Sequence, residues 1–316
     1  MDIQILTYDQ VDPLEVLHLN LVALEYALTP QRLALVRRLD PRPFPFFALY
    51  AVLDGALAGQ VSVYRLPVVT VDGPEDVGGI SAVCTHPAYA RQGIAARLIE
   101  EAHQHMRRAR MRFSTLGTSA YRGAYHLYRH LGYEDVLRAG LASAPREVAV
   151  SSGDLTARPA ELGEISLADG LYQRLAPGKI AFTRRPDGFL GSMTEIGEID
   201  PHSLWLIFTG GILCGFARVS LAQTVLRVYD MFLAGGVSPV QAVAALAFSA
   251  QADYISLELF HPWILRSLGE TGYHLSPAGW GVFMAKSLIL GLPASDLGEL
   301  LDIGSDRFIM WSVDIT

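Results

Sequence analysis

The sequence predicts a mixed α/β protein in two domains, residues 1–148 and 149–316, and three observations carry that reading. The chain has 316 residues, more than one domain usually holds. Short apolar runs of strand length alternate along it with stretches of helical periodicity. Between the halves, Ala144–Asp154 gathers Pro, Ser and Gly, and the order of elements before it recurs in weaker form after it.

In the first half, Asp2–Tyr8 alternates like a strand, and Asp12-Pro13 opens a helix through Leu24. Thr29-Pro30 starts a second helix. Phe44–Leu53 and Leu57–Tyr64 flank the turn Asp54-Gly55 as a hairpin; Pro67–Val71 reads as a further strand, and Asp72–Asp76 as a polar loop. The strand opening at Gly79 leads into a helix that ends near Arg108. Arg112–Gly117 is a strand, Tyr121–His130 a helix stopped at Gly132-Tyr133, and Val136–Ala142 a returning strand.

In the second half, Leu155–Arg158 is a short strand and Pro159–Leu175 helical. Ser203–Phe208 and Leu213–Val219 form a hairpin around Gly210-Gly211, followed by the strand Val225–Leu233. Ser238-Pro239 starts a helix through Ala250; Tyr254–Phe260 is a strand, Pro262–Leu268 a helix ending near Gly272-Tyr273, and Gly281–Lys286 a strand. Gly132-Tyr133 aligns with Gly272-Tyr273, which puts Leu268 where the first half has Tyr128. This is the pattern of an internal duplication in which one copy lacks a hydroxyl.

Composition narrows the function. Apolar residues make up 51% of the chain and charged ones 18%, which favours compact cores over long disorder. The apolar runs are broken before the ~20 residues of a membrane span, so a soluble chain without a membrane partner is expected. A net charge of −7 gives no basic field for nucleic acid and suits a cationic small molecule better. The two cysteines, Cys84 and Cys214, lie in apolar segments without metal-site or disulfide spacing, which fits a reducing cytoplasm and no metal. The opening MDIQILTYDQ has no basic region followed by an apolar one, so no export signal is expected.

The most informative stretch is Gly79–Leu98, GISAVCTHPAYARQGIAARL, an apolar strand, a polar turn and a helix that begins at Gly93-Ile94-Ala95. Small residues there allow close backbone approach, and the free amides and positive dipole end of a helix start suit a pyrophosphate. Ala90-Arg91-Gln92-Gly93-Ile94-Ala95 resembles the coenzyme signature of the GNAT acyl-CoA-dependent N-acyltransferases, with Ala90 standing where that family has Arg or Gln. About thirty residues later, Ala124-Tyr125-His126-Leu127-Tyr128-Arg129-His130-Leu131-Gly132-Tyr133 is similar to its second signature, with Tyr133 for Phe. The resemblance is closest over residues 1–142. The tandem layout and Leu226-Arg227-Val228-Tyr229-Asp230 resemble the enhanced intracellular survival type, without room for that family's third domain.

The resemblance implies two tandem GNAT-like domains, each a mixed, mostly antiparallel sheet flanked by helices, the second degenerate. It implies acetyl transfer from acetyl-CoA by direct attack of an amine of a small molecule or peptide. Arg91, Gln92, Gly93, Ile94 and Ala95 would hold the pyrophosphate; Val83, Cys84 and Thr85 would meet the pantetheine arm and offer an N–H to the thioester oxygen. Tyr128 would be the general acid for the departing thiolate, and the Thr316 carboxylate would approach it.

Other residues take structural readings. Cys84 as a thiol is a packing residue; His86 ends a strand; Tyr121, Tyr125 and Tyr133 pack. Glu75 and Asp76 are solvated loop carboxylates, and Arg107, Arg108, Arg110 and Arg112 form a solvated face at a helix C-terminus. The second half lacks a Gly-x-Ala helix start after Gly235-Gly236, so it is expected to close the acceptor cleft or to form a homo-oligomer interface. A scaffold that binds acyl-CoA without turnover is the alternative to the enzyme.

Overall fold

In the computed structural model, which describes residues 3–149, 151–276 and 279–314, helices start where the sequence places their caps. Strand β1 (Ile3–Thr7) leads to helix α1 (Pro13–Leu24), capped by the Asp12 carboxylate on the Leu14 N–H. Helix α2 (Pro30–Leu39) is capped by the Thr29 hydroxyl on the Arg32 N–H. Both have Pro at N1, where its missing donor costs nothing. Strands β2 (Pro43–Leu53), β3 (Ala56–Thr70) and β4 (Gly73–Thr85) form a meander. Here the structure corrects the sequence reading: Pro67–Val71 continues β3, and the expected loop Asp72–Asp76 shrinks to a tight turn at Val71-Asp72, with Glu75 and Asp76 already paired in β4. Helix α3 (Ile94–Arg108), β5 (Phe113–Ser119), α4 (Gly123–His130), β6 (Glu134–Arg138) and β7 (Gly140–Pro145) follow. Gly78 lets α3 lie close on β4, since a side chain there would meet the Met106 sulfur at 2.3 Å.

The second half contains β8 (Leu155–Pro159), α5 (Ile165–Leu175), the short β9 (Ile180–Ala181) and α6 (Phe189–Glu195). Then come β10 (Leu204–Thr209), β11 (Ile212–Ala222), β12 (Val225–Leu233) and α7 (Pro239–Ser249), capped by Ser238. Last are β13 (Tyr254–Leu259), α8 (Pro262–Gly269), β14 (His274–Ser276), β15 (Gly281–Ser287), α9 (Asp296–Leu300) and β16 (Phe308–Ile309). The elements α6, β9, α9 and β16 carry no clear periodic signal.

Two sheets of matching order result, β1-β2-β3-β4-β5-β15-β6 and β8-β10-β11-β12-β13-β7-β14. Each takes its strand between the fifth and the last from the other half of the chain. β15 pairs antiparallel with both β5 and β6, and β7 pairs with both β13 and β14. β9 and β16 pair with each other, and β9 with β3. One core cluster spans both halves, joining Val16, Leu19 and Phe47 to Tyr172, Phe216, Phe232 and Trp311.

Two histidines are buried in these cores. His103 on α3 contacts the Tyr133 hydroxyl through Nε2 at 2.8 Å, and that hydroxyl meets Ser114 Oγ at 2.6 Å. His261, before α8, has no partner for either ring nitrogen among the described residues. Burial pushes both imidazoles down to about 4.

Two outcomes follow. Val282, Phe283 and Met284 of β15 are at most 1% exposed. At roughly 1.5–3 kcal/mol each, their burial rivals the ~5–15 kcal/mol net stability of a domain. A fragment ending at residue 148 therefore shows no cooperative melting when expressed alone; a sharp transition from it would contradict the strand exchange. The unfolded chain binds protons on His103 and His261 near pH 6.5 and the folded one only near pH 4, so their contribution is complete above pH 6.5 and is lost as pH falls toward 4. The melting temperature drops over that window, and His261→Phe flattens the drop; an unchanged slope in that variant counts against the assignment.

Candidate active site

The site begins where β4 and β5 part. They pair in parallel only at Gly78–Ser114 and Gly79–Thr115, and the Thr115 hydroxyl donates to the Gly78 carbonyl at 2.9 Å. Beyond that point β4 is held by β3 alone among the described residues. Its register slips between Ser81 and Cys84 in a bulge, where Ala82 takes a left-handed φ of 47°. The Gln60 side-chain amide donates to the Ala82 carbonyl at 3.3 Å and to Asn20 Oδ1 at 2.9 Å, so two buried amides brace the bulge.

The turn after β4 leads to α3. His86 Nδ1 accepts from the Ala88 N–H at 3.2 Å, a strand-ending cap as the sequence suggests. Arg91 and Gly93 both have positive φ, 60° and 77°, and no side chain caps the first turn of α3. Ile94 is buried and anchors the helix start, while Arg91, Gln92 and Gly93 are exposed and Ala95 is half-buried. The first turn of α3 thus has no side-chain cap and follows the exposed residues Arg91, Gln92 and Gly93, at the positive end of the helix, a fit for a pyrophosphate.

In the opening between β4 and β5 lies a cavity of about 510 Å³. Ile80, Ser81, Ala82 and Val83 of β4, Gly117 and Thr118 of β5, and Arg122, Ala124 and Tyr128 of the α4 region line one side. Tyr229 of β12, Glu258 of β13, Phe260, Trp280 and Ser312 line the other, all from the second half. Tyr128 is 7% exposed, its ring stands edge-on to Tyr133, and no described residue hydrogen-bonds its hydroxyl. Burial pushes its phenol up to about 12, against a smaller opposing pull from Arg122, so the hydroxyl keeps its proton at neutral pH. The structure thus brings Tyr128 and Val83 to one cavity. Cys84 and Thr85 turn back to pair with Gln60 and Gly59; burial pushes the Cys84 thiol up to about 12, away from the thiolate that a nucleophile requires.

A second cavity, about 530 Å³, meets the first along Leu24, Ser81, Ala82 and Ser312. Its charges are paired. Arg42 holds Asp40 with two bonds of 2.9 Å, Arg218 holds Asp230 at 3.1 Å, and Glu198 takes the Tyr26 hydroxyl at 2.9 Å and Arg32 at 3.2 Å. The Glu75 and Asp76 carboxylates are half-buried and paired, not free in a loop. Arg112 grips Glu75 at 2.6 and 2.9 Å, and Arg65 and Arg184 approach Asp76 at 3.6 and 3.5 Å. The same bonds take Arg112 out of the solvated arginine face, while Arg107 pairs with Glu100 at 2.8 Å.

Residues 311–314 run between these cavities under a polar clamp. Asp230 accepts from the Ser312 N–H at 2.7 Å and its hydroxyl at 2.8 Å, and Arg42 donates to the Val313 carbonyl at 2.9 Å. Arg185, 4% exposed, pairs with buried Asp314 and lies over the Trp311 ring, 3.3 Å from its centroid. Thr316, expected near Tyr128, lies outside the described residues. Sequence reasoning missed Arg122, Glu258 and Trp280 as cavity residues; each sits in an ordinary loop or strand pattern, and Trp280 precedes the exchanged strand β15 while Glu258 lies on β13 of the other sheet, so only the tertiary structure brings the two together.

Comparison with known proteins bears on the family and the fold. The profile of the acetyltransferase (GNAT) domain matches residues 19–136. No curated protein sequence matches the chain. Among solved structures, a probable N-acyltransferase from Enterococcus faecalis superposes with a TM-score of 0.69 at 13% identity, covering 91% of this chain and 73% of that one. Eis1 from Mycobacterium abscessus gives 0.63 at 15% identity, over 91% and 74%. A GCN5-related N-acetyltransferase from Anabaena variabilis gives 0.65 at 16%, over 92% and 74%. Residues 19–136 are therefore similar to the acetyltransferase (GNAT) domain, and the chain shares its two-sheet fold over about nine-tenths of its length with these solved structures.

Proposed function

We propose that this chain is an N-acyltransferase that uses acetyl-CoA as donor and a primary amine of a small molecule or peptide as acceptor, by direct attack. The observation that carries the reading is Tyr128, protonated and without a hydrogen-bond partner among the described residues, on the wall of the cavity that opens where β4 leaves β5. The uncapped start of α3 supports residues 91–95 as the pyrophosphate site, and the place of Val83 on the cavity wall supports Val83, ahead of Cys84 and Thr85, as the residue of this strand that meets the pantetheine arm. When acetyl-CoA is bound, it supplies the activated acyl group. The chain's own part is to hold its phosphates on backbone amides, to keep the reacting atoms in a cavity walled by both halves, and to hold a proton on the Tyr128 hydroxyl for the leaving sulfur.

The pairing of Glu75 and Asp76 with arginines removes the local reason to favour a cationic acceptor. The second half supplies Tyr229, Glu258 and Ser312 to the cavity, which supports its role in closing the cleft. The Thr316 carboxylate is proposed to approach Tyr128, and the clamped segment that ends at Asp314 supports it by bringing Ser312 to the same cavity wall.

Tyr128→Phe lowers the turnover number about 10²-fold, the scale of general acid catalysis, while the dissociation constant for acetyl-CoA, measured by calorimetry, stays within about threefold. Full turnover in that variant would sink the acid assignment. Deleting residues 315 and 316, which keeps the Asp314–Arg185 pair, lowers turnover with acetyl-CoA affinity retained; unchanged turnover would remove the terminal carboxylate from the mechanism.

A further inference from the structure

We propose that Glu258, contributed by the second half of the chain, is the group that takes the proton from the incoming ammonium in the first half's active site. This rests on the acyltransferase reading above and names the missing base within it.

Glu258 sits on β13 and lines the same cavity as Tyr128 and Ser81. Its two oxygens do different things. Oε1 accepts the backbone N–H groups of Trp280 at 2.5 Å and Gly281 at 3.0 Å, which fixes the side chain at the entry of β15. Oε2 has no hydrogen-bond or ion-pair partner among the described residues. A half-buried carboxylate oxygen pinned in place by its twin and left open on a cavity is an arrangement that a purely structural contact does not require. The other titratable or charged groups on that cavity are Arg122 and Tyr128 from the α4 region and Tyr229 from β12. Arg122 lies over the Trp280 ring, 4.9 Å from its centroid, and has no ion pair among the described residues. Tyr229 is engaged with the Ser220 hydroxyl at 2.9 Å. Tyr128 is the proton donor, so Glu258 is the carboxylate free to accept.

The step balances as follows. The acceptor R–NH3+ gives one proton to Glu258 Oε2, directly or through one water. The nitrogen lone pair forms the N–C bond to the thioester carbonyl, the C–S bond breaks, and the sulfur receives the Tyr128 proton. The second nitrogen proton returns to Tyr128, leaving amide, free thiol and one proton on Glu258 that passes to solvent.

Glu258→Gln tests this because its amide oxygen can still accept from Trp280 and Gly281. The full chain is assayed by free-thiol release from acetyl-CoA with glycylglycine, whose α-amine titrates near 8, with lysine methyl ester blocked at the α-nitrogen, whose ε-amine titrates near 10.4, with spermidine, and without acceptor. The expected result is an unchanged melting temperature and acetyl-CoA affinity and a fall of about 10²-fold with amines protonated at the assay pH. The fall is smaller for the α-amine, and the acid limb of the pH profile is lost. Without an acceptor, water attack on the thioester also slows. Equal losses for the α- and ε-amines, or activity within threefold of wild type with the acid limb intact, overturns the proposal. Loss of turnover on deleting 315 and 316 together with an unaffected Glu258→Gln assigns the proton to the terminal carboxylate instead. If the wild-type chain binds acetyl-CoA and releases no thiol under any condition, the acyltransferase reading fails first, and the base with it.

Discussion

The site depends on a backbone constraint: β4 and β5 share two residue pairs and then separate. A strand that leaves its neighbour exposes a row of unpaired N–H and C=O groups, and burying these without partners is costly. The molecule meets that constraint by making the gap a cavity, one edge carrying the bulge at Ala82 and the other running to Ser119. Gln60 and Asn20, both buried, brace the bulge from behind. An extended arm with alternating amides is the natural occupant of such a gap, because it restores the hydrogen bonds that the missing strand pairing leaves open.

The strand exchange makes the two halves one cooperative unit. In each sheet the strand between the fifth and the last comes from the other half, so neither sheet is complete without the whole chain. The consequence reaches the site directly. β15 lies beside β5, its entry carries Trp280 and Gly281 to the cavity mouth, and Glu258 is pinned by both. The second half, which has Leu268 where the first has Tyr128, thus forms part of the wall of the cavity that Tyr128 lines. Its contribution there is Tyr229, Glu258, Phe260, Trp280 and Ser312.

The charges near the cavities are largely spoken for. Asp40, Glu75, Asp76, Asp230 and Asp314 each face an arginine, and Arg185 lies among Trp311, Tyr172 and Phe189. Buried pairs of this kind add little net stability, since desolvation offsets attraction, but they fix geometry. Here they fix the segment 311–314 between the two cavities. Net charge, read from composition, says nothing about this arrangement, because it sums over pairs that cancel locally.

Local chemistry was legible in the sequence. The Asp12-Pro13, Thr29-Pro30 and Ser238-Pro239 caps, the hairpin at Asp54-Gly55, the helix start at Gly93, the position of Tyr128 and the matching Gly-Tyr stops of the two halves are set by residues within one turn of each other. So was the kind of element at nearly every long apolar run. The tertiary structure alone decided which strand lies beside which: a period-2 pattern states that a strand has a buried face and carries no address for its neighbour. It also decided that Asp72–Asp76 closes as a tight turn, since the partners of Glu75 and Asp76 are Arg112, 37 residues on from Glu75, and Arg184, 108 residues on from Asp76. Glu258 is the plainest case. Within its own strand it is one polar residue in an alternating run, and it becomes a candidate base only because the fold sets it opposite Tyr128 across a cavity that both halves of the chain enclose.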